Sequence, residues 1–115
     1  NLAGLVYKAR PLNGIWATAP YMHNGSVANL WETLQKPEQR QTRFWVGNRN
    51  FDPVRVGFVN QKAKASDNYP SPSTEFEVLG KNGDIFPGNS NLGHDFGTDL
   101  SDQDKWALVE YMKTL

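Results

Sequence analysis

The first 27 residues carry prolines and glycines at intervals too short for a long helix. Pro11, Gly14, Pro20 and Gly25 interrupt this segment repeatedly, and these two residue types are the strongest breakers of regular structure. The sequence therefore predicts a mostly irregular N-terminal part, in which residues 5–8 form a short strand or the entry to a turn.

A first helix is predicted from about residue 28 to residue 36, where apolar side chains recur on one face. Ser26 or Asn29 is its expected N-cap, and Pro37 ends it. The residues that make the apolar face are Leu30, Trp31 and Leu34.

The clearest element is a second helix from about residue 102 to residue 113. Ser101 and Asp104 resemble a capping box, with aspartate in place of the usual glutamate. The apolar face of this helix is formed by Trp106, Val109 and Met112.

The middle of the chain has the composition of strands. Residues 42–46 are rich in aromatic and branched side chains, and residues 54–59 begin with alternation. We expect these two segments to pair as an antiparallel hairpin with a long loop. Residues 60–75 are predicted to be an exposed loop, and residues 75–79 a third strand.

Composition predicts a single domain whose aliphatic core is thin. Only 38% of the 115 residues are hydrophobic, although fourteen are aromatic. A planar apolar ligand, or a part of the protein that is missing here, would complete such a core. Because the chain does not begin with methionine, we expect a processed chain or a fragment.

Charge and cysteine content exclude several classes of function. The formal net charge is zero without a basic stripe, so the sequence does not predict nucleic-acid binding. No apolar run approaches the roughly 20 residues that span a bilayer. The absence of cysteine excludes disulfides, thiolate catalysis and cysteine-held metal sites within the chain.

Both histidines lie in polar, glycine-containing loops, which makes them the main candidates for chemistry. His23 follows Met22 and precedes an Asn-Gly turn, and His94 lies between Gly93 and Gly97. Each imidazole could bind iron, transfer protons or simply hold its loop by hydrogen bonds. Met22 could offer a thioether, but it cannot easily face the same metal as its neighbour, so a core position is favoured.

Other sites are less favoured by the residue spacing. A zinc or two-His-one-carboxylate iron site lacks the usual His-x-Glu or Glu-x-x-His spacing. A serine hydrolase lacks the Gly-x-Ser-x-Gly turn. Arg10 could pair with a ligand carboxylate or be solvated, and Trp16 could flank a ring ligand or fill the core.

The chain resembles the C-terminal haem domain of di-haem cytochromes c. The resemblance rests on Arg-Pro-Leu-Asn-Gly-Ile-Trp at residues 10–16, Ala-Pro-Tyr-Met-His-Asn-Gly-Ser-Val at residues 19–27, and Gly-His-Asp-Phe-Gly at residues 93–97. The related proteins are the bacterial cytochrome c peroxidase superfamily, and in particular the branch that contains the haem-dependent rubber oxygenases.

The resemblance implies a periplasmic or otherwise exported redox protein that binds haem c. It implies that His94 is the distal ligand of the haem iron, with His23 near the haem and less favoured as a ligand, and that Arg10 lies near the haem propionates. The complete haem-binding set that we predict is Arg10, Asn13, Trp16, Tyr21, Met22, His23, His94 and Phe96.

Two departures from the family pattern shape the prediction. The chain has no Cys-x-x-Cys-His segment, so we expect the attachment motif upstream in a longer polypeptide or in another chain. Asn24 replaces the aspartate of the peroxidases, which weakens a peroxidase assignment.

We therefore predict a mainly α fold with long loops and a small antiparallel β hairpin inserted around residues 42–59. Residues 1–115 would form the C-terminal part of a class-I-like cytochrome c domain. The predicted function is electron transfer within a di-haem oxidoreductase that meets a redox partner protein. The alternatives are a peroxidase or haem dioxygenase domain, and a haem-free structural or binding domain.

Overall fold

The computed structural model describes Gly4, residues 8–67 and residues 71–115. Two α-helices and four short strands are connected by long loops. The helices are α1 (Leu30–Thr33) and α2 (Asp102–Met112), and the strands are β1 (Arg43–Val46), β2 (Phe51–Asp52), β3 (Gly57–Phe58) and β4 (Thr74–Glu77). Short 3₁₀ helices span Ile15–Ala17 and Pro37–Gln39. Most of the strand or turn predicted at residues 5–8 lies outside the described residues.

Helix α1 lies inside the predicted range; one of its two expected N-caps is confirmed, but its C-terminus comes earlier than predicted. Asn29 is the N-cap, and its side-chain oxygen accepts the amide of Glu32 at 2.9 Å. Ser26 is fully buried and does not cap the helix. The helix ends at Thr33, and the guanidinium of Arg40 binds the carbonyls of Thr33 and Gln35 just beyond it.

The prediction of helix α2 is confirmed, and its C-terminus differs from the predicted one by a single residue. The hydroxyl of Ser101 accepts the amide of Asp104 at 3.2 Å, so the serine caps the helix as expected. Val109 and Met112 are buried on the inward face, and Trp106 is partly buried beside them.

The predicted pairing of residues 42–46 with residues 54–59 is wrong. Strand β1 pairs antiparallel with β4 instead, with Phe44 opposite Phe76, and β2 pairs with β3 in a separate small hairpin. The reversal falls at residues 53–56 because Asp52 accepts the amides of Val54 and Arg55 through its carboxylate. The β1–β4 pair therefore brings residues 47 and 73 close together, and the β2–β3 hairpin lies between β1 and β4 in the sequence.

The core is small and is built from three distant parts of the chain. Its buried cluster comprises Tyr21, Val27, Leu30, Leu34, Val56, Val109 and Met112. Trp31 of α1 stacks on Trp106 of α2 with ring centres 3.9 Å apart and planes 10° from parallel. The amide of Gly14 donates to the carbonyl of Leu115 at 3.1 Å, which ties the N-terminal segment to the end of the chain.

The molecule exposes more surface than a typical monomer of its mass. Its solvent-accessible area is 8086 Å², whereas a monomer of this size typically exposes roughly 6,300 Å². Its radius of gyration is 15.2 Å, against about 13 Å for a compact chain of this length. Large apolar side chains contribute to this surface, including Leu12, Trp16, Phe51, Val54, Phe58, Phe86, Leu92 and Phe96.

None of the helices among the described residues has the length and apolar character that a bilayer crossing requires.

Candidate functional site

Both histidines line one cleft with a volume of about 390 Å³, which is within the usual size range of small-molecule sites. Two loops form the cleft, one around His23 and one around His94. The lining residues are Met22, His23, Asn24, Ser90, Asn91, Gly93, His94, Asp95 and Phe96. The structure thus brings together four residues of the predicted haem-binding set: Met22, His23, His94 and Phe96.

The His23 loop projects from a short antiparallel bridge between Tyr21 and Val27. The amide of Tyr21 donates to the carbonyl of Val27 at 2.7 Å, and both side chains are buried. Met22 and Gly25 have positive φ angles of 66° and 70°, and the amide of Gly25 closes the turn on the carbonyl of Met22. His23 is consequently exposed at the tip of a tight loop anchored in the core.

Asn24 joins the two histidine loops directly. Its side-chain nitrogen donates to the carbonyls of Gly88 at 3.1 Å and Ser90 at 2.8 Å. Its side-chain oxygen accepts the amide of Ser26 at 3.2 Å. An ionised aspartate has no donor and cannot make the first two bonds, so these contacts between the loops require the amide of asparagine.

Arg40 holds the His94 loop from the opposite side. Its Nη1 donates to the carbonyls of Asn91 at 2.5 Å and Gly93 at 2.7 Å, and its Nη2 donates to the carbonyl of His94 at 2.9 Å. Arg40 is only 4% exposed. These three hydrogen bonds fix the backbone of the loop that carries the imidazole of His94.

The remaining donors of Arg40 bind the end of α1, so the five hydrogen bonds of its guanidinium within the described part of the chain all go to backbone carbonyls. Burial lowers the pKa of Arg40, and the negative charges of Glu32, Asp95 and Glu38 oppose that shift. Arginine remains protonated even so, and the site therefore contains a fixed buried cation.

His94 occupies a loop that is otherwise open to solvent. Its φ angle of 53° lies in the left-handed region, which costs an L-residue roughly 1 kcal/mol. The apolar side chains around it are unusually exposed: Leu92 by 55% and Phe96 by 81%. Phe96 lines the cleft together with His94, whereas Leu92 is exposed on the same loop outside the cleft lining.

The other predicted haem-binding residues do not line this cleft. Tyr21 is buried in the core, where its hydroxyl donates to the carbonyl of Ile15 at 2.6 Å. Trp16 lines a separate apolar recess of about 240 Å³ together with Phe51 and Val56. Arg10 and Asn13 are exposed elsewhere on the N-terminal segment.

The chemistry of the cleft suits a haem better than a bare metal ion. Among the described residues, no three histidine or acidic side chains are grouped so that they can hold an ion. Imidazole nitrogens are common axial ligands of haem iron, and Met22 and Phe96 in the lining would offer apolar contact to a porphyrin. Because the cleft is open, this chain would supply one side of such a site.

Comparison with known families adds to this geometry. The RoxA-like, cytochrome c-like family model matches residues 6–46. The cytochrome c-like segment defined by this match contains His23, Asn24, α1 and Arg40, and it confirms the cytochrome c-like part of the predicted resemblance. His94 lies beyond the match.

Two curated relatives are uncharacterised proteins of Sinorhizobium fredii (strain NBRC 101917 / NGR234). The chain is 38% identical to y4iJ over 122 residues, covering 98% of this chain and 18% of the relative. It is 31% identical to y4iM over 122 residues, covering 94% of this chain and 27% of the relative. The chain thus spans about a quarter or less of the length of these relatives.

Sequence reasoning missed Arg40 entirely and did not anticipate the linking role of Asn24. Arg40 lies after a proline turn in a polar stretch that carries no recognisable motif. Asparagine at position 24 in place of the expected aspartate was the sequence signal for the linking role, since an amide has a donor that a carboxylate lacks.

Proposed function

We propose that this chain is the haem-binding electron-transfer portion of an exported di-haem c-type cytochrome oxidoreductase. The observation that carries the proposal is the convergence of His23 and His94 on one cleft that Met22 and Phe96 also line. The cytochrome c-like match over residues 6–46 supports the class of cofactor.

In this proposal His94 is the distal ligand of the haem iron. It projects from a loop held by Arg40 and Asn24, so its position is set by the fold. Phe96 and Met22 limit water around the iron, and His23 stands beside the haem without ligating it. The predicted role of Arg10 near the propionates, and those of Asn13, Trp16 and Tyr21 in holding the haem, remain predictions.

A bound haem would supply a reversible one-electron couple. Two imidazole ligands give a lower potential than a histidine-methionine pair. A six-coordinate iron has no open position, which favours electron transfer over substrate chemistry at this haem.

The attachment segment must come from elsewhere, because this chain has no cysteine. We propose that a Cys-x-x-Cys-His segment, upstream in the same polypeptide or in another chain, packs against the open side of the cleft. The large exposed surface and the greater length of both relatives support this arrangement. Covalent attachment of haem c is the basis for proposing a periplasmic or otherwise exported location.

The test is a spectroscopic comparison of two histidine variants in the haem-loaded protein, with the attachment segment present. We expect His94→Ala to convert a low-spin iron into a high-spin iron that binds added ligands. His23→Ala is the matched control, since it removes the other imidazole of the same cleft, and should remain low-spin.

An unchanged low-spin spectrum in the His94 variant would exclude His94 as the ligand. If His23→Ala alone becomes high-spin, the ligand role passes to His23. A protein without any Soret absorption after expression with the attachment segment would favour the haem-free alternative.

The second candidate is peroxide or oxygen chemistry, and the exposed position of His23 in the cleft favours it. An imidazole beside the haem can transfer protons during such a reaction. Turnover with peroxide or a polyisoprene-type substrate that is lost in His23→Ala would support this candidate over electron transfer.

A further inference from the structure

We propose that Arg40 is the positioning residue for His94, and that its guanidinium sets how fully the imidazole occupies the distal position of the haem. This inference rests on the proposed function. Arg40 lies inside the cytochrome c-like segment, residues 6–46, and would control the position of His94, which lies outside it.

The contacts of the His94 loop give the first support. Residues 92–96 are exposed and belong to no helix or strand. Within this loop, the carbonyls of Gly93 and His94 both accept hydrogen bonds from Arg40, and so does the carbonyl of Asn91 at its start. The backbone of His94 also needs a positive φ angle, and the bond to its own carbonyl helps to hold that conformation.

The anchoring of Arg40 gives the second support. Its guanidinium also binds the carbonyls of Thr33 and Gln35 at the end of α1. Helix α1 is part of the core through Leu30 and Leu34. Arg40 therefore links the His94 loop, which has little regular structure of its own, to helix α1, whose position is fixed by the core.

The shape of the guanidinium gives the third support. Arginine presents five N–H donors in a planar fork, whereas lysine presents three donors around one point. Arg40 makes five bonds to carbonyls that lie in two separate segments. Lysine would keep the charge and lose part of this geometry.

The experiment compares Arg40→Lys with Arg43→Lys in the haem-loaded protein. Arg43 is an exposed arginine that pairs with Glu75 and Glu77 across the β1–β4 sheet, so it is a matched control. We expect Arg40→Lys to bind exogenous imidazole or cyanide at the iron about tenfold more strongly or better, because residues that orient a metal ligand typically change affinity by about 10- to 100-fold. Arg43→Lys should behave as the wild type.

Chemical rescue separates positioning from a merely structural role. Added imidazole should restore the low-spin spectrum of Arg40→Lys, as it should for His94→Gly. A variant that keeps the wild-type spectrum and ligand affinity overturns the proposal for Arg40. A variant that has lost haem or fold, and that imidazole does not rescue, also overturns it.

The two proposals fail in different ways. If His94→Ala stays low-spin, the assignment of His94 fails. If His94→Ala becomes high-spin while Arg40→Lys remains indistinguishable from the wild type, His94 is the ligand and only the role of Arg40 fails.

Discussion

Single polar side chains hold the candidate site together. The amide of Asn24 and the guanidinium of Arg40 bind five carbonyls of residues 88–94 between them. Both act through the backbone of a loop. The carbonyls that Arg40 binds are buried or partly buried, where a missing donor is costly. The bonds of Asn24 are exposed, and each contributes about 0.5–1.5 kcal/mol as an ordinary hydrogen bond.

Replacing Asn24 by aspartate should destabilise the fold. The new carboxylate keeps the shape of the amide, loses both donated bonds and faces the carbonyls of Gly88 and Ser90. We expect the free energy of unfolding to fall by about 1–3 kcal/mol at neutral pH, measured by denaturant titration. The loss should shrink at acidic pH, where a protonated carboxyl can donate one bond.

Asn13→Asp provides the control for this change, because Asn13 is exposed and its replacement should alter stability by less than about 0.5 kcal/mol. Equal effects of the two substitutions would show that the asparagine bridge does not stabilise the loops.

Tyr21 gives the molecule a pH dependence in the alkaline range. Burial raises the pKa of its hydroxyl to about 12, from an ordinary value of 10.0. Between these two values the unfolded chain loses the proton while the folded chain keeps it. The free energy of unfolding therefore decreases as the pH rises through this window. Below pH 10 the tyrosine is protonated in both states, and the full stability is present.

The measurement is the stability difference between the wild type and Tyr21→Phe at two pH values. This difference should shift by about 2 kcal/mol against the wild type between pH 9 and pH 11.5. The phenylalanine variant also loses the bond to Ile15, but that loss should be similar at both values. A difference that does not change with pH would contradict the raised pKa.

At the scale of elements, the sequence was informative where local signals were sufficient. Helix α2 has a capping serine and a regular apolar face, and its prediction is confirmed. The β pairing was not accessible, because strand composition identifies β1 and β4 but does not say which partner each selects. Sequence patterns placed His23 and His94 in exposed loops, but their convergence depends on the bonds of Asn24 and Arg40 across the fold.

The contact between the two helices should depend on the stacked tryptophans. We expect a double-mutant cycle with Trp31→Leu and Trp106→Leu to give a coupling energy of about 0.5–1.5 kcal/mol, measured from denaturant unfolding. Phe51 and Phe58 form a comparison pair with a ring distance of 6.1 Å and an edge-on geometry. Strictly additive effects of the tryptophan substitutions would indicate that the stack contributes no coupling.

At the scale of the whole molecule, a small core supports a large exposed surface. The area exceeds that of a typical monomer of this mass by roughly 1,700 Å², whereas one side of a standard protein interface covers about 800 Å². A haem together with the segment that carries it would cover an area of this order. Under the proposed arrangement, the thin core expected from composition and the open cleft would have one common cause.

The β1–β4 pair has a consequence for how relatives of this chain can diverge. Since this pair holds the two ends of residues 47–73 together and Val56 anchors the first half in the core, the exposed residues 64–66 can accept added length without moving either histidine. Doubling a flexible loop costs only about 0.6 kcal/mol in closure entropy. Added residues at this point of the chain would extend the surface away from the cleft and leave its geometry as it is.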